Sequence, residues 1–266
     1  MNTLTLNGKK IHYEVHGPAD TTPIVILNGI MMSTASWQPF LPALTRHNQV
    51  VLLDFLDQGQ SDDHPNPYTQ GLQVQVVKAL FDHLQLEQPV LVGLSYGGAV
   101  ALQFAATYPS ALSRLLIFNA TTHNGDWQRA IGQSWILSKQ DPANFYATTI
   151  PLVYGTDYYN NHPNWIAQRQ QFLTEQVFTQ QAFMDRMERL TTSATTYTVL
   201  EDLDKITAKT LIVGSEDDYL TPVKAQRRMA AGIKGADLVI LADCGHASMY
   251  ERPVVFTSLI IGFAHS

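Results

Sequence analysis

The sequence predicts an α/β fold, a mostly parallel sheet with helices on both faces and a helical segment inserted late in the chain. Four short, nearly continuous apolar runs, Ile24–Leu27, Val50–Leu53, Val90–Val92 and Leu115–Phe118, each have strand length and are trailed by a turn or a helix-like stretch. That is the pattern of strands buried on both faces of a parallel sheet. About 90 residues then separate Phe118 from the next such run at Leu211, whereas a crossover with one helix needs roughly 30. The chain has 266 residues, 45% of them apolar and 15% charged, so it can bury enough surface to fold as one compact unit carrying an insertion.

Each element follows from its own pattern. Thr3 to His16 holds two alternating runs split by Asn7-Gly8, which reads as a β-hairpin opening the sheet. Leu72–Leu84 has helical spacing through Leu72, Val76, Ala79, Leu80 and Leu84, and Gly97–Tyr108 supplies a second, Ala-rich helix. Between Thr121 and Leu200 lie twelve of the chain's 26 aromatics, Trp127 and Trp135 among them, with many Gln, Thr and Asn. This composition suits a helical cap that packs its own small core and also presents an apolar ceiling to a ligand. Residues 1–120 and 201–266 are accordingly expected to form the core, and 121–200 the cap. Strands are expected again at Leu211–Val213 and Leu238–Leu241, with Val254–Phe263 as a terminal helix packed on the sheet.

Composition also removes whole classes of function. The net charge is −6 and no basic run occurs, which argues against nucleic-acid partners. The single cysteine, Cys244, makes no internal disulfide, and it lacks the paired base a cysteine nucleophile needs, so it reads as a small packing residue. No His-Glu-x-x-His segment occurs, no apolar run approaches the ~20 residues that span a bilayer, and Met1 to Lys10 alternates rather than forming a signal-peptide core. The sequence therefore points to a cytoplasmic protein acting on a small molecule, with no membrane partner. Its oligomeric state is not legible.

Chemistry concentrates in three places. Val90-Leu91-Val92-Gly93-Leu94-Ser95-Tyr96-Gly97-Gly98 sets a Gly-x-Ser-x-Gly between a buried strand and a helix, the context of a nucleophile elbow. The serine of such an elbow sits on a strained turn, and its flanking positions must lack side chains so that strand and helix can close on each other. A serine hydroxyl is a weak nucleophile near neutral pH and needs a base oriented by an acid. Carboxylates at Asp217 and Asp218 follow the strand at Leu211–Val213, and Asp243-Cys244-Gly245-His246 follows the strand at Leu238–Leu241. All three groups then converge at one edge of the sheet, where open α/β folds bind ligands.

With these motifs in the order Ser, Asp, His, the chain from Ile11 to its last helix resembles the α/β-hydrolase superfamily. In that resemblance Leu27-Asn28-Gly29-Ile30-Met31 corresponds to the family's His-Gly segment, with Asn28 in the histidine's place and Trp37 where an aromatic is common. The backbone N–H groups of Ile30 and Tyr96 are then implied as the oxyanion hole. For Asn28, turn chemistry and a supporting role in the loop weigh equally. Asp54-Phe55-Leu56-Asp57-Gln58-Gly59-Gln60-Ser61 looks like the family's Asp-x-Arg-Gly-His-Gly-x-Ser loop without its Arg, first Gly and His, a change expected to bear on loop packing. The acid's position reads two ways. Counting forward from Gly214 lands on Asp217, and counting back from Thr221-Pro222 lands on Asp218; the second is favoured because a proline at a helix start fixes the register.

The resemblance implies covalent serine catalysis. Ser95 attacks a carbonyl, His246 shuttles the proton, Asp218 orients the imidazole, and no metal or organic cofactor is required. The expected substrate is a small to medium uncharged ester, with a lactone or a C–C bond as alternatives that the same groups serve. A cofactor-free perhydrolase or acyltransferase is a second class, and a receptor with vestigial hydrolysis a third. Met31, Trp127 and Trp135 are the expected pocket residues. Met31 and its neighbour Met32 suit core filling as well.

Overall fold

The chain is described by a computed structural model covering residues 2–266. Asn7 and Gly8 take φ of 50° and 77°, the left-handed pair a two-residue hairpin requires. They join β1 (Asn2–Leu6) to β2 (Lys9–His16) in antiparallel register. The following elements are β3 (Ile24–Leu27), α1 (Leu41–Leu44), β4 (Val50–Leu53), α2 (Gly71–His83), β5 (Val90–Leu94), α3 (Tyr96–Thr107) and β6 (Arg114–Phe118). Five helices come next, α4 (Asp126–Ser138), α5 (Pro142–Thr149), α6 (Thr156–Asn161), α7 (Pro163–Phe172) and α8 (Gln181–Ser193). The chain then returns to β7 (Lys209–Ser215), α9 (Val223–Gly232), β8 (Asp237–Leu241), α10 (Ser248–Glu251) and α11 (Pro253–Ala264).

The eight strands form one sheet in the order β1-β2-β4-β3-β5-β6-β7-β8, parallel from β4 to β8. Every residue of β3, β4 and β5 is buried, as continuous apolar strands covered on both faces must be. One face packs on α2 and α3 through Val76, Val77, Leu80, Val100 and Phe104. The other packs on α11, where the Phe256 ring stacks on Trp37 and tilts against Phe118. Cys244 is buried in this second layer, and burial pushes its thiol up to about 12, which suits a packing residue.

The order of strands reverses at β3, with β4 on one side and β5 on the other. This is the switch point where the loops after β3 and β5 part and leave a crevice. The helices between β6 and β7 pack a small core of their own around Phe145, Tyr146, Tyr154, Phe178, Met184 and Met187. Most of the aromatics in this stretch are spent there. Among the described residues no helix is long and apolar enough to cross a membrane.

Candidate active site

Ser95 follows β5 directly and has φ of 50° and ψ of −113°, a strained conformation that aims a side chain out of the sheet edge. The neighbouring glycines allow it. A Cβ at Gly93 would lie 2.6 Å from the Gly97 carbonyl oxygen and 2.7 Å from Gly98 Cα, and one at Gly97 would lie 2.5 Å from the Leu27 carbonyl oxygen. Neither fits.

His246 Nε2 lies 2.9 Å from Ser95 Oγ, and its Nδ1 lies 2.8 Å from Asp218 Oδ2. Asp218 is buried and accepts four further bonds, from Leu220 N (2.9 Å), Thr221 N (2.7 Å), Thr221 Oγ1 (2.6 Å) and Asn119 Nδ2 (2.8 Å). Burial alone would raise its pKa, but the facing imidazole and the Thr221 donors outweigh that and hold the carboxyl below its usual range. Asp217 stands apart. It is partly exposed, and partial burial together with Glu216, Asp157 and Asp243 pushes its carboxyl up. The structure thus brings together Ser95, Asp218 and His246 and leaves Asp217 outside.

Ile30 and Tyr96 flank Ser95, and both line the space above it. Tyr96 is the first residue of α3, so its N–H has no intrahelical acceptor. The loop that carries Ile30 is held from beneath. Asn28 is buried, donates to the Leu53 carbonyl (2.8 Å) and accepts from Trp37 Nε1 (2.8 Å), which makes it a support and not merely a turn residue. Gln58 Nε2 donates to the Gly29 carbonyl at 2.9 Å and to the Ile30 carbonyl at 3.2 Å. The Gly29 carbonyl and the Ile30 N–H belong to one planar trans peptide, so fixing the first fixes the direction of the second. The loop after β4 therefore does more than pack: in place of the family's histidine it supplies the Gln58 amide.

Two cavities meet at Ser95. One, of about 140 Å³, is lined by Met31, Met32, Trp135, Tyr154, Arg169 and His246 among others. The second, of about 130 Å³, includes Gln70, Thr121, Asn124, Gln128 and Tyr197. Met31 and Trp135 line the first of these. Trp127 does not: it sits in the first turn of α4, is 55% exposed, lines neither cavity, and donates Nε1 to the Tyr219 carbonyl at 2.9 Å. Its ring lies on the exposed side of the helix, a placement that composition does not disclose.

Sequence reasoning missed Asn119, Gln58, Thr221 and Arg169. Asn119 alone carries a local signal, a polar residue at the end of an apolar strand with φ of 47°; its side chain donates to Ser215 and Asp218 and accepts from Ser248. The inserted helices are tied to the site at two further points. Arg189 pairs with buried Asp57 (2.7 Å) and Arg186 with Asp63 (2.6 Å). The buried Glu251 carboxylate accepts from Gly155 N (3.2 Å) and Gly245 N (2.9 Å), beside His246. There the two backbones touch, for a Cβ on Gly245 would run into the Gly155 nitrogen and the Tyr154 carbonyl carbon. Among the described residues no three metal-ligating side chains cluster.

The family model for the alpha/beta hydrolase fold matches residues 22–253. RutD of Stutzerimonas stutzeri, which carries the name of a carbamate hydrolase, is 26% identical over 94% of this chain and 95% of its own. The crystal structure of MGS-M2, an alpha/beta hydrolase enzyme from a Medee basin deep-sea metagenome library, superposes with a TM-score of 0.96 at 40% identity, covering 100% of this chain and 98% of the other. The enol-lactonase of Burkholderia xenovorans LB400 shares the fold, with a TM-score of 0.86 at 21% identity over the whole of both chains. The chain belongs to the α/β-hydrolase family and is a hydrolase of that fold.

Proposed function

We propose that the protein is a serine hydrolase that cleaves an ester-type bond of a small substrate through an acyl-enzyme. The observation that carries this reading is the unbroken chain from Ser95 Oγ through His246 to Asp218, at 2.9 and 2.8 Å. In it His246 Nε2 takes the hydroxyl proton as Oγ bonds to the carbonyl carbon, and the carbonyl electrons move onto oxygen. The Ile30 and Tyr96 N–H groups face that oxyanion, the second of them free because it opens a helix. His246 then returns the proton to the departing oxygen, and a water activated by the same nitrogen releases the acyl group. Asp218 keeps Nδ1 protonated and balances the transient imidazolium.

In this reading residues 121–200 act as the cap, with Trp135 and Met31 shaping the cavity over Ser95. The small volume on either side of the serine favours short acyl and leaving groups. Lactones present the same carbonyl and remain within reach of the same groups.

The test is a profile of the purified protein on 4-nitrophenyl esters of graded chain length alongside lactones, repeated with Ser95→Ala. Replacement should lower turnover by about 10⁴-fold or more in a folded protein. Retention of more than a tenth of the wild-type rate would remove Ser95 from the mechanism. Intact mass after treatment with an organophosphate should show one adduct, absent in the variant.

A further inference from the structure

Five basic residues lie in the insertion, and four have acidic partners: Arg129 with Asp126, Lys139 with Asp185 and Glu188, Arg186 with Asp63, and Arg189 with Asp57 and Asp63. Arg169, on α7, has none. Its Nε is buried without a hydrogen-bond partner, and among the described residues its guanidinium pairs with no carboxylate. Nor does it point to the outside, for it lines the same cavity as Ser95 and His246. Its Cζ sits over the Tyr250 ring, 5.8 Å from the centroid. It is also close enough to the Tyr154 phenol to offset part of the rise that burial causes there.

A partly desolvated cation without a counter-ion is costly, and folded chains rarely tolerate one unless something else supplies the charge. Attraction to an aromatic face orients the guanidinium, and the Tyr154 phenol lies beside it, but the in-plane fork of N–H donors is not filled, its Nε having no partner. That fork matches a carboxylate, which it grips through two parallel bonds. The rest of the cavity is largely apolar, lined by Met31, Met32, Ile150 and Val153, so a single negative charge is what one guanidinium there can balance.

We propose that Arg169 is the anion-binding residue of this active site and that the substrate carries a carboxylate on the fragment that departs. The side of the scissile bond follows from the proton path. His246 must hand its proton to the departing oxygen, so that fragment leaves over His246, and of the two cavities at Ser95 the one that includes His246 is the one that includes Arg169. In the step itself the bond from carbonyl carbon to departing oxygen breaks, its electron pair stays on oxygen, and the His246 proton neutralises it. The carboxylate remains ionised against Arg169 throughout. This replaces the uncharged substrate expected from sequence, and it rests on Ser95 as the nucleophile.

The test compares 4-acetoxybenzoate, whose leaving fragment bears the carboxylate, with its neutral counterpart 4-acetoxybenzamide, and with mono(4-nitrophenyl) glutarate, whose carboxylate is on the acyl side. Arg169→Met should lower kcat/KM on 4-acetoxybenzoate by about 30- to 100-fold, mainly through KM, and change the benzamide by less than threefold. Arg169→Lys should recover part of the loss. Equal effects on both acetoxy compounds would overturn the proposal, and an Arg169 dependence confined to the glutarate ester would overturn the side assigned. Binding of 4-hydroxybenzoate to Ser95→Ala, followed by calorimetry, separates the two readings. Loss of that binding in Ser95→Ala/Arg169→Met supports the anion site even if Ser95 proves not to be the nucleophile, and unchanged binding overturns it even if Ser95 is.

Discussion

The loops at the carboxyl edge of the sheet and the five helices inserted between β6 and β7 face each other across Ser95, and they are built by different means. The loops hang on strands whose residues are buried without exception in β3, β4 and β5, and backbone geometry fixes them. Examples are the left-handed φ of Ser95 and Asn119, the glycines that let β5 and α3 touch, and a peptide plane held by Gln58. Three of the helices have shallow roots. α4 buries only Gly132, α6 buries nothing, and α7 buries only Ile166. α8 reaches the main core through Leu190, and further ties come from the Arg186 and Arg189 ion pairs, the Glu251 carboxylate and the bond from Ala247 N to the Val153 carbonyl. On the proposed reading, the nucleophile thus rests on the most deeply buried strands, and selectivity on helices of which three have few buried residues to resist local opening.

That contrast can be broken most sharply at the acid. Asp218→Asn should cost roughly 10³ to 10⁴ in turnover by favouring the wrong imidazole tautomer, while Asp217→Asn should cost less than about tenfold. The reverse ranking in two folded proteins would move the acid to Asp217 and show that the sheet edge is less rigidly specified than its packing implies.

A smaller effect is expected under the insertion. Glu251→Ala leaves two buried glycine N–H groups unpaired, at about 1–3 kcal/mol each. Hydrogen exchange should quicken first in residues 153–177, before β5 or α3 responds. Uniform quickening across the sheet would mean that the two regions open as one.

Two of the buried carboxyls, Asp218 and Glu251, also predict opposite slopes with pH. The Asp218 carboxyl is held low, so its ionised form stabilises the fold above the unfolded value of about 3.9, and that stability is lost as pH falls further through the folded value. Glu251 is pushed up by burial against its Gly245 and Gly155 donors, so the fold gains stability as pH falls through its folded value toward the unfolded one near about 4.3. Melting curves of the wild type against Glu251→Gln should therefore diverge in favour of the wild type on mild acidification. Against Asp218→Asn they should converge below about pH 4. Slopes of the same sign for both pairs would contradict the assignment.

The smallest effect separates two tryptophans. Trp135→Ala should shift chain-length preference among esters, whereas Trp127→Ala, with its ring outside both cavities, should change it less than about twofold while loosening the α4 contact to Tyr219, since a surface contact of this kind contributes little. Equal shifts would place both rings at the substrate.

How far the sequence discloses this molecule depends on which of the two regions is read. Ile24–Leu27 and Val90–Val92 read as buried strands from their short length, β-branched content and flanking turns, and Gly93 and Gly97 around Ser95 have a steric reason that leaves no alternative residue. The Asp218 position needs one more constraint, the proline that starts the next helix. Trp127 fails because composition shows that an aromatic is present but not which side of its helix meets the core. Arg169 fails for a different reason. A charge on a helix reads as solvated, and the absence of a partner is a property of the tertiary arrangement, invisible until Tyr154 and Tyr250 are in place around it. Asn28 lies between, since Asn-Gly is turn chemistry by sequence and a two-sided hydrogen-bonding support by contact.

The touching backbones at Gly155 and Gly245 bear on how such an insertion can be exchanged. A chimaera that takes residues 121–200 from another member of the fold inherits new pocket walls. Where the donor segment passes over Gly245, glycine fits without adjustment, whereas a Cβ in place of Gly155 would stand 3.0 Å from the Glu251 carboxylate and from Gly245 N, on the turn that carries His246, and those neighbours would have to give. Grafts that respect this one crossing are free to vary the helices on either side of it. Grafts that place a side chain there should lose turnover in proportion to the shift it forces on the histidine loop, and a glycine restored at that single position should bring it back.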